Sequence, residues 1–388
     1  MTGLIALVLL IVLVAVIFHS GSTPPSTTTT TTTGSGSTGT NGGSTGSGQS
    51  GGGHAGRTGS PAEAGWRGNG KAVTLAFGGD IHFQGVLKTR LSHDATTALG
   101  PTVAKLMAGS DLAMATFDSA LTDGTCPDPQ QKPFVWYSPA SALTAMKAGG
   151  ISVAAMATDH GEDCGQPGLQ MSLSEADAAH FPVIGIGSTA AQAYAAYRTT
   201  VDGQRIAVLA GTQIFPPNLQ TAWTATATQP GVAAAARLVS AIEAVRPTAD
   251  TVVVVVHWGT TAQTCPSAAQ KSLARALVNA GADVVVGSGA HVQQGAGYLG
   301  QGYVDYGLGN LAFYDTTAPE TYSGALVVTV TGRHVDSSSW RPALITDDLP
   351  QIQTGSAATT AVDRWDGLRG CTGLSANPTG PAGTSTST

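Results

Sequence analysis

The chain is poor in charge. Of 388 residues, 18 are Lys or Arg and 24 are Asp or Glu, for a net charge of −6. So thin a basic content excludes a surface built to neutralise a phosphate backbone, and nucleic acid is not an expected partner. Its four cysteines, at 126, 164, 265 and 371, show no C-x-x-C spacing, which excludes a zinc knuckle or a thioredoxin-like motif. No G-x-x-x-x-G-K-[ST] loop occurs, so nothing points to ATP-driven amide synthesis by this chain itself. Near the N-terminus no Lys or Arg precedes the first apolar run, and FHSGS after it lacks a small-x-small cleavage pattern.

That run, GLIALVLLIVLVAVIF at residues 3–18, is uncharged and apolar on every face. Its length lies between a signal h-region and a minimal membrane span. We expect residues 1–20 to enter a membrane, as a retained anchor in preference to a cleaved signal, with the bulk of the chain outside. Residues 21–70 are dominated by Thr, Ser and Gly, including seven consecutive threonines, and offer too little apolar surface to offset the entropy of ordering them. A flexible tether is expected there. In an exported chain an even cysteine count reads as two disulfides. Three pairings are possible; Cys126 with Cys164 and Cys265 with Cys371 is favoured, because the first two follow neighbouring strand ends and the last would tie down the tail.

Residues 71–350 read as one large domain and 351–388 as a partly disordered tail. Strands are expected at 73–77, 112–116, 152–157, 183–185, 205–210, 251–257, 283–286, 302–306 and 325–330, mostly as continuous apolar runs that signal cover on both faces. Helical stretches alternate with them, the clearest at 139–148 and 266–280, each opening beside a Ser-Pro or Pro-Ser pair and closing on Gly. Alternation of this kind gives an α/β layered domain.

Several of the apolar runs end in residues that bind metals. TVVVVVHWG delivers His257, LAFGGDIHF delivers Asp80 and His82, LAMATFDSALTD delivers Asp118, ISVAAMATDH delivers Asp159 and His160, and ADVVVGSGAHV delivers His291. Asp80 and His82, two apart on an extended segment, share one face and can reach one ion. An unpaired imidazole at the end of so apolar a strand as 251–257 would be costly, and a metal or a carboxylate would answer that cost. Trp258 is expected to pack beside the site.

The order of these blocks resembles the capsule-synthesis CapA family, the poly-γ-glutamate synthesis proteins, which look like relatives of the calcineurin-like metallophosphoesterases. The family blocks GD-x-M-L, N-L-E-x-x-L-T, A-N-N-H, H-W-G, H-P-H-V and S-L-G-N stand here as GGDIHF, TFDSALT, ATDH, HWG, GAHV and GLGN, across about residues 71–330. The resemblance implies a four-layer α/β/β/α sandwich. It also implies metal ligands at Asp80, His82, Asp118, Asp159, His257 and His291, and a catalytic role for His160 on the phosphoryl or leaving group. Glu162 and Asp163 are expected at a solvated loop edge or as partners of ligands, and Asn310 as an orienting or turn residue.

The first histidine of H-P-H is replaced by Gly289. By analogy with two-metal enzymes, Asp80, His82, Asp118 and His291 then form a complete set, and Asp118, Asp159 and His257 lack a fourth ligand, for which Ser288 would be a weak substitute. One divalent ion (Mn, Zn or Fe) is therefore expected in preference to two, and a histidine restored at 289 is expected to strengthen the second site. Two functions fit: a metal-dependent hydrolase acting on a capsule or poly-γ-glutamate type polymer, or a non-catalytic accessory protein for polymer export or attachment. The expected partners are an anionic envelope polymer, or its synthesis machinery, and the membrane.

Overall fold

In a computed structural model of the protein, the structure describes residues 68–314 and 317–379. The expected anchor at 1–20, nearly all of the tether and the last nine residues of the tail lie outside the described residues. Among the described residues no helix is long and apolar enough to cross a membrane.

Two large sheets organise a mixed α/β fold. The first has eight strands, running in space from Leu349–Ile352 through His334–Thr346, Tyr322–Thr331, Val73–Ile81, Leu112–Phe117 and Val153–Ala155 to Val183–Ile184, with Asn310–Ala312 pairing alongside Val73–Ile81. Its half from Val73–Ile81 to Val183–Ile184 is parallel, and the other half is an antiparallel meander. The second sheet has six strands, ordered Ala296–Leu299, Gly302–Asp305, Val284–Ser288, Thr251–His257, Gln204–Thr212 and Tyr197–Val201, parallel except at its two edges.

Strand periodicity decides which side chain goes where. Val253 and Val255 join Val208, Leu75, Phe77 and Met114 in a core between the two sheets. Their neighbours Val252, Val254 and Val256 face the other way, onto Leu238, Ile242 and Leu277 of the helices Leu238–Val245 and Ala268–Ala280. Ala76, Ala113 and Ala154 likewise turn from the first sheet toward Leu87, Leu106, Met146 and Leu169 of four further helices. A helix layer thus covers the outer face of each sheet, and both expected helices are present, at Ser141–Ala148 and Ala268–Ala280.

The expected boundary at 350 falls inside the strand Leu349–Ile352, and the chain continues into the helix Gly355–Gly367. That helix buries Ala361 and Trp365, with the Trp365 ring stacked 5.4 Å from Trp340. Both favoured disulfides are formed, Cys126 to Cys164 and Cys265 to Cys371.

One buried acid makes stability pH-dependent. Burial raises the Asp305 carboxyl to about 7, against the Gly307 amide that donates to its Oδ1 at 2.9 Å. A group whose folded pKa is raised holds its proton in the folded chain after the unfolded chain has released it. Its contribution is therefore lost as pH climbs from the ordinary carboxyl value of about 3.9 through about 7. Urea denaturation of the wild type and Asp305→Asn should show the stability of the wild type falling relative to the variant between pH 5 and pH 8. A constant difference would show that Asp305 does not titrate in that window.

Candidate metal centre

The parallel strands of both sheets present their C-terminal ends at one edge, where open α/β sheets place their ligands. Asp80 lies near the end of Val73–Ile81, Asp118 follows Leu112–Phe117, and Asp159 and His160 lie in the turn after Val153–Ala155. From the other sheet come His257, the last residue of its strand, and Ser288, paired with it in register. Asn310 pairs with Asp80.

Asp118, Asp159 and His257 offer ligand atoms that all lie within 4.8 Å of one another. His257 Nε2 is 3.0 Å from Asp159 Oδ1, and its Nδ1 is 3.0 Å from Ser288 Oγ, to which Thr116 Oγ1 also donates at 3.0 Å. Burial alone would lower His257, but the hydrogen bond with Asp159 and the charges of Asp118, Asp80 and Asp159 outweigh it and push the imidazole up to about 9. Burial would raise Asp159, yet the same hydrogen bond, with the charges of His160, His257 and Lys132, holds it well below the usual carboxylate range. A proton therefore sits where a cation would compete for the same atoms.

The residues fit a divalent ion on independent grounds. Both oxygens of Asp118, Oδ1 of Asp80 and Nε2 of His82 are buried without a hydrogen-bond partner. Buried carboxylate oxygens of that kind are costly unless paired or bound to a cation. His82 is held far below the usual histidine range by burial and by the charges of His160 and His291, which keeps it in the neutral form that binds metal.

The structure reorders the expected ligand sets. The convergent three belong to the set that the sequence left one ligand short. In the set expected to be complete, Asp80 Oδ2 accepts from the Gly289 amide at 3.0 Å and lies 3.4 Å from His291 Nδ1, which is itself 2.9 Å from Asn310 Oδ1. His82 Nδ1 accepts from the Gln84 amide at 3.0 Å, and its ring is boxed by Trp136, Phe313 and Tyr314 at 4.9, 4.0 and 4.6 Å. His291 is set by a left-handed backbone, φ 57°, a conformation that non-glycine residues adopt mainly where the surroundings enforce it.

Ser288 is engaged with Thr116 and His257, so its hydroxyl orients that imidazole. Gly289 has φ +92°, and a Cβ there would meet Cδ2 and Nε2 of His257 at 3.0 Å. A histidine at 289 would thus be strained and would press on the His257 ring. Trp258 turns away from the site: it packs in the helix-side core, donating from Nε1 to the Tyr306 carbonyl at 2.8 Å.

His160 Nδ1 lies 2.6 Å from Asp163 Oδ2, and its ring stacks on Trp136 at 3.7 Å with an interplanar angle of 12°. Asp163 is fully buried and also accepts from the Trp136 amide at 2.6 Å and from Lys132 Nζ at 2.7 Å. It is therefore a partner of His160 and no solvated edge. Glu162 is buried too, and burial together with the Asp128 carboxylate pushes it up to about 8. Lys132 and Trp136 were not found by reasoning from sequence, since the irregular segment between Cys126 and Tyr137 offers no periodicity to read.

Comparison with known proteins agrees with this arrangement of blocks. The family model of the bacterial capsule synthesis protein PGA_cap matches residues 74–315. The capsule biosynthesis protein CapA of Bacillus anthracis is 32% identical over 191 residues, 48% of this chain and 45% of that protein, so the match spans a little under half of its length. The PGA biosynthesis protein CapA of Bacillus subtilis (strain 168) is 26% identical over 259 residues, 66% of this chain and 67% of that protein. Among solved structures, a putative 5'-nucleotidase from Staphylococcus aureus aligns at 14% identity with a TM-score of 0.44, covering 76% of this chain and 58% of that one. The sulfate thiohydrolase SoxB of Thermus thermophilus aligns at 11% identity with a TM-score of 0.40, covering 75% and 60%. Matched over more than half of its length, the chain belongs to the bacterial capsule synthesis protein PGA_cap family.

Proposed function

We propose that the chain acts in the synthesis or processing of a capsule or poly-γ-glutamate type envelope polymer as a metal-dependent hydrolase with a metallophosphoesterase-like layout. The observation that carries the reading is the convergence of Asp118, Asp159 and His257 beside buried carboxylate oxygens that have no partner. Held by these three residues, with Asp80, His82 and His291 around them, a divalent ion such as Mn, Zn or Fe supplies Lewis acidity toward a phosphoryl or acyl oxygen. The chain's own contribution is positional. Asp163 accepts a hydrogen bond from Nδ1–H of His160, Trp136 holds the ring flat, and the imidazolium so oriented can give its Nε2 proton to a leaving group and become neutral imidazole with Nδ1–H still on Asp163.

Residues 1–20 and the tether fit this reading as a membrane anchor and a spacer that hold the domain outside the cell, next to the polymer or its synthesis machinery. A second reading, an accessory protein with a degenerate metal site, is favoured by Gly289, which offers no side-chain ligand and where an added Cβ would lie 3.0 Å from the His257 ring.

Hydrolysis of bis(p-nitrophenyl) phosphate by the chain loaded with manganese separates the two. The hydrolase reading expects turnover that falls by about 10²–10⁴ in His160→Ala, the usual worth of a positioned acid or base, while manganese affinity is retained. Tight manganese binding without turnover of phosphodiesters or of γ-glutamyl polymer would leave the accessory reading.

A further inference from the structure

We infer that Lys132 is a positioning residue that couples the metal ligand Asp159 to His160, so that ion binding and turnover depend on one buried ammonium; the turnover part of this rests on the hydrolase reading. Lys132 Nζ donates to the main-chain carbonyl of Asp159 and, at 2.7 Å, to Asp163 Oδ1. It also approaches His160 Nδ1 at 3.2 Å. Because Asp163 Oδ2 lies 2.6 Å from that nitrogen, the Nδ1 proton goes to the carboxylate, and the lysine contact is a close approach and not a hydrogen bond.

The ammonium is almost buried, with 7% of its side chain exposed, and the Trp223 ring lies 5.4 Å from it. A buried charge is costly unless paired, and here the Asp163 carboxylate and the Asp159 carbonyl are its fixed partners. Both acceptors belong to the turn 159–163. One is the peptide that joins the ligand Asp159 to His160, and the other is the carboxylate that orients His160. Lysine suits the position because its compact ammonium carries three donors that rotate to meet a main-chain carbonyl and a carboxylate at once.

The segment bearing Lys132 also brings Trp136, whose amide donates to Asp163 Oδ2 at 2.6 Å, and the Gln130 amide donates to the Asp163 carbonyl at 2.9 Å. This irregular segment is thus folded onto the turn through Asp159, His160 and Asp163, and Lys132 is the contact that reaches both the ligand and the acid.

Three variants of the full chain test the inference: Lys132→Met, Asp163→Asn and His160→Ala. Manganese affinity is measured by calorimetry, the visible spectrum is recorded on the cobalt-loaded protein, and kcat and KM are measured on bis(p-nitrophenyl) phosphate. Lys132→Met should weaken manganese binding about 10–100-fold, the usual cost of losing a group that orients a ligand, and should alter the cobalt spectrum. It should also lower kcat with KM little changed. Asp163→Asn and His160→Ala should lower kcat while affinity and spectrum stay as in the wild type. A merely structural lysine would shift the melting temperature and leave that pattern unformed.

If Lys132→Met does not fold, Lys132→Gln, which keeps an N–H donor without the charge, takes its place with the same expected order. Wild-type affinity and spectrum in the lysine variant would overturn the inference. A wild type that binds manganese but turns nothing over would count against hydrolysis alone, since the affinity and the spectrum still judge Lys132.

Discussion

Replacing Asp118 by asparagine should remove the stabilisation that a divalent ion gives this chain. Both carboxylate oxygens are buried without a partner, and Asp118 belongs to both possible ligand sets. With manganese at 100 times its dissociation constant, the wild type should gain about 2.7 kcal/mol in unfolding free energy, and Asp118→Asn should gain nothing measurable. His257→Ala should behave in the same way. Asp80→Asn should be milder, because Asp80 Oδ2 is already committed to the Gly289 amide. Thermal scans with and without manganese read the effect directly. Larger losses in Asp80→Asn and His291→Ala than in His257→Ala would move the tight ion to the set of Asp80, His82, Asp118 and His291.

Removing the Cys126–Cys164 bridge should cost both stability and the site. The bridge closes a separation of 38 residues, for which chain-entropy arguments give about 4 kcal/mol. Cys164 follows Asp163 directly, and the bridged segment carries Lys132 and Trp136, so the double variant Cys126→Ser with Cys164→Ser frees the residues that hold His160. Equilibrium denaturation should show the lost stability, and manganese affinity should fall as in Lys132→Met. A variant as stable as the wild type with intact affinity would show that packing alone keeps the segment in place. Breaking the Cys265–Cys371 bridge should cost comparable stability and leave ion binding alone, because neither cysteine adjoins the turn 159–163.

Much of the architecture was legible because it follows from one-dimensional patterns. The valine run at 251–257 had to be a strand covered on both faces, and the ligand-bearing residues had to gather once such strands lay parallel with their ends together. The ends of neighbouring strands brought Cys126 close to Cys164. The alternation within 251–257 also contained the answer for Trp258, which shares the parity of Val252, Val254 and Val256 and so faces the helices.

What sequence did not reveal depends on backbone direction. Which ligand set converges turns on the left-handed conformations of Gly289 and His291, which aim an amide and an imidazole at Asp80. The strand His334–Thr346 was missed because its half-exposed, serine-rich course lacks an apolar run, and the helix Gly355–Gly367 because it buries little beyond Ala361 and Trp365. Lys132 carried no signal in the sequence, and Asp163 was expected only at a loop edge or as a partner of ligands; their burial and mutual ion pair give them a role.

The C-terminal helix bears on how the domain is delimited for laboratory work. A chain cut at residue 350, where the apolar runs stop, would end midway along the edge strand Leu349–Ile352 and lose the helix whose Trp365 covers Trp340. It would also lack Cys371 and leave Cys265 as an unpaired thiol. An indole face, a shortened sheet edge and a reactive sulfur would then be uncovered together, each a route to self-association. The shortest well-behaved version of this domain should therefore extend past Cys371, through the bridge between Ser375 and Tyr298 that seals the rim of the second sheet.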